Sequence, residues 1–266
     1  MSPSLRGKNI MENTTIIPNP DGLIRLNRFC ARCGLGSRRS CDTIIAAGKI
    51  SVNGKRVTEL GTKINPVSDK VEFEGKLLKP GRSYRYLAYH KPRGVMVTKS
   101  DPEGRATIYE ALRIAGCDAD GLNYVGRLDF NSEGLILLTN DGDLIHALTH
   151  PRYQIKKIYE VRSNKKLAVD DAQTMITEGV ASEDQLLFAG DIHEINTNVQ
   201  GEHWYEIVLY EGKQRQVRRM FEALGYQVVR LKRTQFASVK LGPLPLGAVR
   251  PLTEKEISAL LAAGWH

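Results

Sequence analysis

The sequence has no apolar run approaching the roughly 18 residues that a membrane-spanning helix needs. Residues 1–20, MSPSLRGKNIMENTTIIPNP, lack the apolar stretch of a secretory signal. Only 4 cysteines occur in 266 residues. That is too few for a disulfide scaffold, and without a signal it points to a reducing, cytoplasmic setting. There is no internal repeat, no low-complexity tract and no glycine-rich dinucleotide fingerprint. Hydrophobic residues make up 41% and charged residues 26%, an ordinary globular balance that excludes a disordered tail or a collagen. The length supports one large domain or two unequal ones.

What is present is positive charge in an uneven distribution. The net charge is +8. Residues 1–83 hold 15 Lys+Arg against 7 Asp+Glu, which accounts for all of it; residues 84–266 hold 23 of each. Within the neutral part, residues 211–240 carry 8 Lys+Arg against 2 Asp+Glu. A solvated surface would spread its charge. Clustering on one small module is the footprint of nucleic-acid binding.

Residues 1–21 are polar and aperiodic and read as a mobile leader. A helical pattern begins near Leu23. Leu26, Phe29, Cys30 and Cys33 form its apolar stripe, and Arg25, Arg28 and Arg32 lie on another face. Gly34 and Gly36 end it, Ser37 is a good N-cap for a second helix, and Gly48 closes that one. KISVNGKRV then reads as a hairpin turning at Asn53-Gly54, and Val71–Leu78 repeats the pattern around Glu74-Gly75. Lys79–Ser83 is a plausible linker. The predicted organisation is therefore a leader (1–21), a small basic module (22–82) and a larger domain (84–266). In the last, strands are expected at Tyr124-Val125, Gly134–Thr139, Lys157–Arg162, Tyr205–Tyr210 and Gln227–Lys232. Helices are expected near Thr107–Ala115, Asp143–Leu148 and Gln214–Leu224, and after the capping box of Thr253 and Glu256. Strands and helices mix without a βαβ rhythm, so the expected class is α+β with a mainly antiparallel sheet.

In the small module, Arg25, Arg28, Arg38 and Arg39 flank a tight helix–turn–helix corner, with Lys49 and Lys55 on the hairpin that follows. Guanidinium groups in such a row follow a phosphate backbone without reading sequence. The block IRLNRFCARCGLGSRRSCDTIIAAGKISVNGK resembles the S4 RNA-binding domain, over about Leu23 to Arg82. A DNA-binding helix-turn-helix would need a polar recognition helix, whereas the segment Ser37–Ala47 turns apolar after its start. Cys30 and Cys33 form a C-x-x-C, but no second pair follows in the module, so core packing is expected rather than metal.

The most informative stretch is Gly126–Gly142, GRLDFNSEGLILLTNDG. Alone, Asp129 would read as a turn former. Its loop, however, carries Arg127 and opens into a strand of buried character. This run resembles the nucleophile loop of pseudouridine synthases, specifically the RsuA/RluB family. So do Lys91-Pro92-Arg93-Gly94, the block Asp101–Arg105 and the block Glu211–Met220, in the family's order. The resemblance implies that Asp129 is the essential aspartate and Tyr159 the active-site tyrosine. It implies that Arg218 is the basic residue that pairs with the aspartate. Leu231 and Arg127 would line the base pocket, with Arg215, Arg219 and Arg233 among the RNA contacts. Phe130 and Glu133 depart mildly from the pattern. The Asp101–Arg105 block looks more like the large-subunit (23S) branch than the 16S branch.

The implied reaction moves a flipped-out uracil from N1–C1′ to C5–C1′ linkage. It is an isomerisation that calls for no metal, nucleotide or redox cofactor. The expected partner is ribosomal RNA, with no membrane, and the protein is expected to act as a monomer. A non-catalytic RNA-binding factor on the same fold is the main rival. A hydrolase using Asp129 is weaker, since no second catalytic carboxylate or His stands at motif spacing.

Overall fold

The computed structural model describes residues 22–79, 84–183, 185–195, 199 and 201–263. The predicted leader (1–21) and most of the predicted linker lie outside these. The chain divides into two compact units between Tyr84 and Arg85.

The first unit runs β1 (Ile24–Arg25), α1 (Leu26–Arg32), α2 (Arg38–Ala46), β2 (Ile50–Val52), β3 (Lys55–Val57), β4 (Lys63–Ile64), β5 (Val71–Phe73) and β6 (Lys76–Leu77). Strands β3-β2-β5-β6 form an antiparallel sheet, and β1 pairs with β4. Asn53 and Gly54 both take left-handed backbone (φ 51° and 77°), the conformation a two-residue hairpin turn requires. The Asn53 side chain also ties this turn to Asp69 and to the Lys70 N–H. Ser37 caps α2 by accepting from the Ser40 N–H at 3.1 Å. Cys30 and Cys41 are buried among Ile24, Leu26, Phe29, Ile45 and Ile50. Burial pushes the Cys30 thiol up to about 12, so it packs as a small apolar group.

The predicted cationic face of α1 needs correction. The helix starts three residues later than the periodicity suggested, because Ile24 and Arg25 are drawn into pairing with Lys63–Ile64. Leu26 to Cys30 are then all buried, and Arg28, at 6% exposure, is not presented to solvent. Cys33 lies at the helix end and is only half-buried. Arg25, Arg38, Arg39, Lys49 and Lys55 are exposed.

The second unit contains β7 (Tyr86–Lys91), α3 (Ile108–Ile114), β8 (Asn123–Val125), β9 (Glu133–Thr139), α4 (Gly142–Thr149), β10 (Lys157–Ser163), α5 (Val169–Thr177), β11 (Val180–Ser182), β12 (Gln185–Leu187), β13 (Asp191–Ile195), β14 (His203–Leu209), α6 (Gln216–Ala223), β15 (Val228–Phe236), β16 (Val239–Lys240), β17 (Val249–Pro251) and α7 (Glu254–Ala263). One sheet dominates, in the order β13-β14-β10-β15-β9-β7-β17, with β16 on β15 and β8 on β9. Every pairing in it is antiparallel except β15 with β9. This is the mixed, mainly antiparallel α+β class that the sequence predicts. Among the described residues no helix is long and apolar enough to cross a membrane.

The parallel contact is short, Lys232–Arg233 against Glu133–Gly134. It demands a glycine. Gly134 has φ 115°, and a Cβ there would lie 2.3 Å from the Arg233 carbonyl oxygen. This close crossing sets the loop before β9 against the centre of the sheet. The helix α6 is anchored by Val217, Met220 and Phe221, and left-handed Gly225 ends it. The predicted capping box of Thr253 and Glu256 forms on α7, and Arg250 joins it as a bidentate partner of Glu256. That pairing, with the Thr253 N–H, holds the Glu256 carboxyl down at about 2.

Candidate active site

The loop Gly126–Ser132 enters β9 and is fixed by its own carbonyls. Lys91, at the end of β7 and 0% exposed, donates from Nζ to the carbonyls of Asp129 (3.2 Å), Ser132 (2.8 Å) and Pro92 (3.0 Å). Arg218, on α6, donates to the Asn131 carbonyl at 3.1 Å and to Val228 at 2.9 Å. Arg233, on β15, donates to Leu135 at 2.8 Å and reaches the Arg127 carbonyl at 3.4 Å. The Gly94 N–H takes the carbonyl of Phe130 at 2.8 Å. Four successive carbonyls, Asp129 to Ser132, are thus held from outside the loop's own side chains. The block at Asp101–Arg105 converges on the same place. Arg105 is paired to Asp101 at 2.8 Å and lies over the Phe130 ring, 5.9 Å from its centre.

These bonds present the Asp129 side chain to a cavity of about 410 Å³. Arg127, Tyr159 and Leu231 line it, with Gly212–Val217 forming the opposite rim. Tyr159 is only 7% exposed and stands on β10 immediately after a bulge against β15, which re-aims the strand at that point. Leu231 is buried on β15. The volume falls in the range of small-molecule sites, and a planar base would meet an aromatic ring, an aliphatic side chain and a carboxylate.

The expected roles of three arginines change. Among the described residues, Arg218 makes no ion pair with Asp129 within 4 Å; its guanidinium is turned to backbone carbonyls, one of them in the aspartate's own loop. It is buried, and its Nε has no hydrogen-bond partner among the described residues. Burial first, then the neighbouring Arg215, push Arg218 below the ordinary arginine range, while the Asp129 charge opposes them. Its field therefore reaches the carboxylate although its hydrogen bonds do not.

Arg233, expected at an RNA surface, is 1% exposed and spends its donors on the sheet, because β15 runs through the middle of it. Arg219, also expected to meet RNA, bonds the Ser182 hydroxyl and carbonyl and pairs with Glu183, fastening α6 to the β11–β12 hairpin. Arg215 is exposed and lines the cavity rim.

The sequence reading assigned no role to three residues that build the site. Lys91 lies in the Lys91–Gly94 motif, and the signal was a lysine ending a strand rich in apolar and aromatic residues. Gln216, 3% exposed, accepts from the Lys213 N–H and donates to Glu211 and to the Phe188 carbonyl, which shapes the rim loop. Glu133 is buried and pairs with Arg230 at 2.6 Å, which explains a carboxylate where the family pattern has small or polar residues.

The family sequence model described as RNA pseudouridylate synthase matches residues 85–223, the region that builds most of this cavity. The chain belongs to the RNA pseudouridylate synthases. The S4 domain model matches residues 24–71, so this synthase carries both domains in the order expected of the RsuA/RluB family. It is 36% identical over 244 residues to a protein of Aquifex aeolicus named an uncharacterized RNA pseudouridine synthase, covering 90% of this chain and 94% of the relative. It is 41% identical over 224 residues to the ribosomal large subunit pseudouridine synthase B of Haemophilus influenzae, covering 82% of this chain and 61% of that protein. A crystal structure of a pseudouridylate synthase superposes with a TM-score of 0.59 at 30% identity, over 89% of this chain and 99% of that one.

The Lys91 ammonium gives the synthase a pH signature. Burial lowers its pKa from 10.5 to about 8, against the opposing charges of Asp129 and Glu133. Above about pH 8 the unfolded chain binds more protons at this site than the folded chain, so this site makes stability rise with pH. The stability of the wild type relative to Lys91→Met is expected to grow between pH 8 and 10.5, by on the order of 3 kcal/mol. Chemical denaturation of both proteins at pH 7, 8.5 and 10 measures it. A pH-independent gap would contradict the burial argument.

Proposed function

We propose that this synthase isomerises one uridine of 23S ribosomal RNA, with Asp129 as the nucleophile. The single observation that carries the reading is the placement of Asp129 on the wall of a cavity that Tyr159 and Leu231 also line, in a loop whose carbonyls are held by buried cations. The target base leaves its helix and stacks in that cavity. The Asp129 carboxylate forms a transient bond to the nucleoside as N1–C1′ breaks, and that bond breaks again to free the carboxylate once C5 is joined to C1′. The uracil turns, C5 joins C1′, the C5 proton leaves and N1 gains one. Bonds and protons balance within the nucleoside, so the chemistry uses no cofactor. A nucleophilic carboxylate must stay ionised beside an apolar wall. Arg218 supplies a fixed positive charge without neutralising it by contact.

The large-subunit assignment is supported by the Haemophilus relative's name and by the Asp101–Arg105 block. The S4 module supplies phosphate contacts through Arg25, Arg38, Arg39, Lys49 and Lys55, and Arg215 adds one beside the cavity. We assign the protein to the cytoplasm, where a ribosomal RNA substrate is met, and take it to act as a monomer.

Pseudouridine mapping of rRNA from cells lacking the gene is expected to show loss of a 23S site. Wild type should restore it and Asp129→Asn should not. Full restoration by Asp129→Asn, or no lost site, would contradict the proposal. Removal of residues 1–82 is expected to weaken rRNA binding and flatten its dependence on salt concentration, as measured by filter binding from 50 to 200 mM salt. An unchanged affinity and slope would remove the module from the docking step.

A further inference from the structure

A second cavity, of about 260 Å³, adjoins the first. The two share a wall made by Gly126, Arg127, Tyr159, Gly212 and Lys213. Its far side consists of the end of α4 (Thr149, His150), the Pro151 turn, Lys157 on β10 and Phe236 on β15. Tyr210 lies at its edge with its ring 46% exposed. Nothing in the reaction described above uses this space.

Its chemistry is that of a nucleotide site. Lys157 Nζ is held by the Ile155 carbonyl at 2.7 Å and stands 5.7 Å from the centre of the Phe236 ring. Arg233 lies over the opposite part of the same ring, 5.0 Å from its centre. With Arg127 and Lys213 on the shared wall, four cations face the cavity against one carboxylate, Glu211. Tyr210 and His150 add exposed planar surfaces, while Phe236, 1% exposed, backs the cavity from the core. Stacking surfaces within a cationic groove are how proteins seat single-stranded bases.

The location fixes which nucleotide. Only one layer of side chains separates the two cavities, so an occupant here is a direct chain neighbour of whatever fills the first. Thr149 stands close to Gly126 at the exposed edge of this cavity. The Thr149 methyl would be 3.9 Å from a Cβ at that glycine.

We propose that this second cavity receives the base of the nucleotide adjoining the target uridine, so that two consecutive nucleotides are drawn out of the RNA together. The proposal rests on the assignment of the Asp129 cavity to uridine. It makes the flanking base a determinant of specificity and gives Lys157, Tyr210 and Thr149 a positioning role.

The test begins with a 23S rRNA transcript, to locate the uridine that the full-length wild type modifies. Synthetic RNAs spanning it then carry one abasic ribose directly 5′ or directly 3′ of the target. At one of the two positions, base removal is expected to lower kcat/KM about 5- to 100-fold, the range that stacking one base provides. Thr149→Trp, at an exposed position, fills the mouth and should cost a similar factor on intact RNA. On the abasic RNA it should cost little more, because the same contact cannot be lost twice. Lys157→Met is the second variant and should show the same non-additivity, with thermal unfolding confirming that both variants fold. If both abasic RNAs react within twofold of the intact one, or if the penalties multiply, this proposal is overturned while the uridine assignment stands. If the wild type forms no pseudouridine in the transcript, both fall together.

Discussion

The catalytic domain depends on a loop whose backbone oxygens are tied down by buried cations. Lys91 on β7, Arg218 on α6 and Arg233 on β15 come from three different elements, and each ends on carbonyls in or beside Arg127–Leu135. Burying three cations costs several kcal/mol apiece unless their donors are satisfied. Carbonyl oxygens take most of these donors without cancelling the charge; Arg218 Nε and one terminal nitrogen of Arg233 are without a partner among the described residues. The outcome is a held loop within a positive field, with Asp129 lining the cavity. Had the same cations met Asp129 in direct ion pairs, the loop would be equally fixed, but its carboxylate would be occupied.

That arrangement also explains the charge distribution. The catalytic domain is neutral by count, yet its positive charges are not all surface charges. Arg233 and Arg218 are interior supports, and Arg219 is a strut to the β11–β12 hairpin. Exposed charge for RNA is left mainly to the small module, where Arg38 and Arg39 open α2 and Lys49 and Lys55 edge the hairpin. On the proposed reading, gripping RNA and converting a base are separated between two units, each with its own core.

Much of this was legible in the sequence. Helices and strands with strong periodicity and clear caps, such as α2 behind Ser37, α6 before Gly225 and α7 behind Thr253, came out within about two residues of their predicted positions. The segment between Arg162 and Tyr205 gave no signal. There α5 lacks a side-chain cap and buries only Met175, and β11 and β12 are three residues each. Composition could place Asp129, Tyr159 and Leu231 together only through the family resemblance, and their shared cavity depends on long-range pairing of β10 with β15. The arginines were the hardest to read. Periodicity cannot tell a guanidinium that faces phosphate from one that caps buried carbonyls, since Arg28, Arg219 and Arg233 look no different in sequence from Arg38.

The central claim is positional: the held loop sets where the Asp129 carboxylate sits. Single-turnover conversion of the 23S target by Asp129→Glu tests it most directly, since the charge is kept and moved by one methylene. Misplacement on the order of 1 Å is expected to cost about a hundredfold in rate, with RNA affinity unchanged. A rate within a few-fold of wild type would contradict the account.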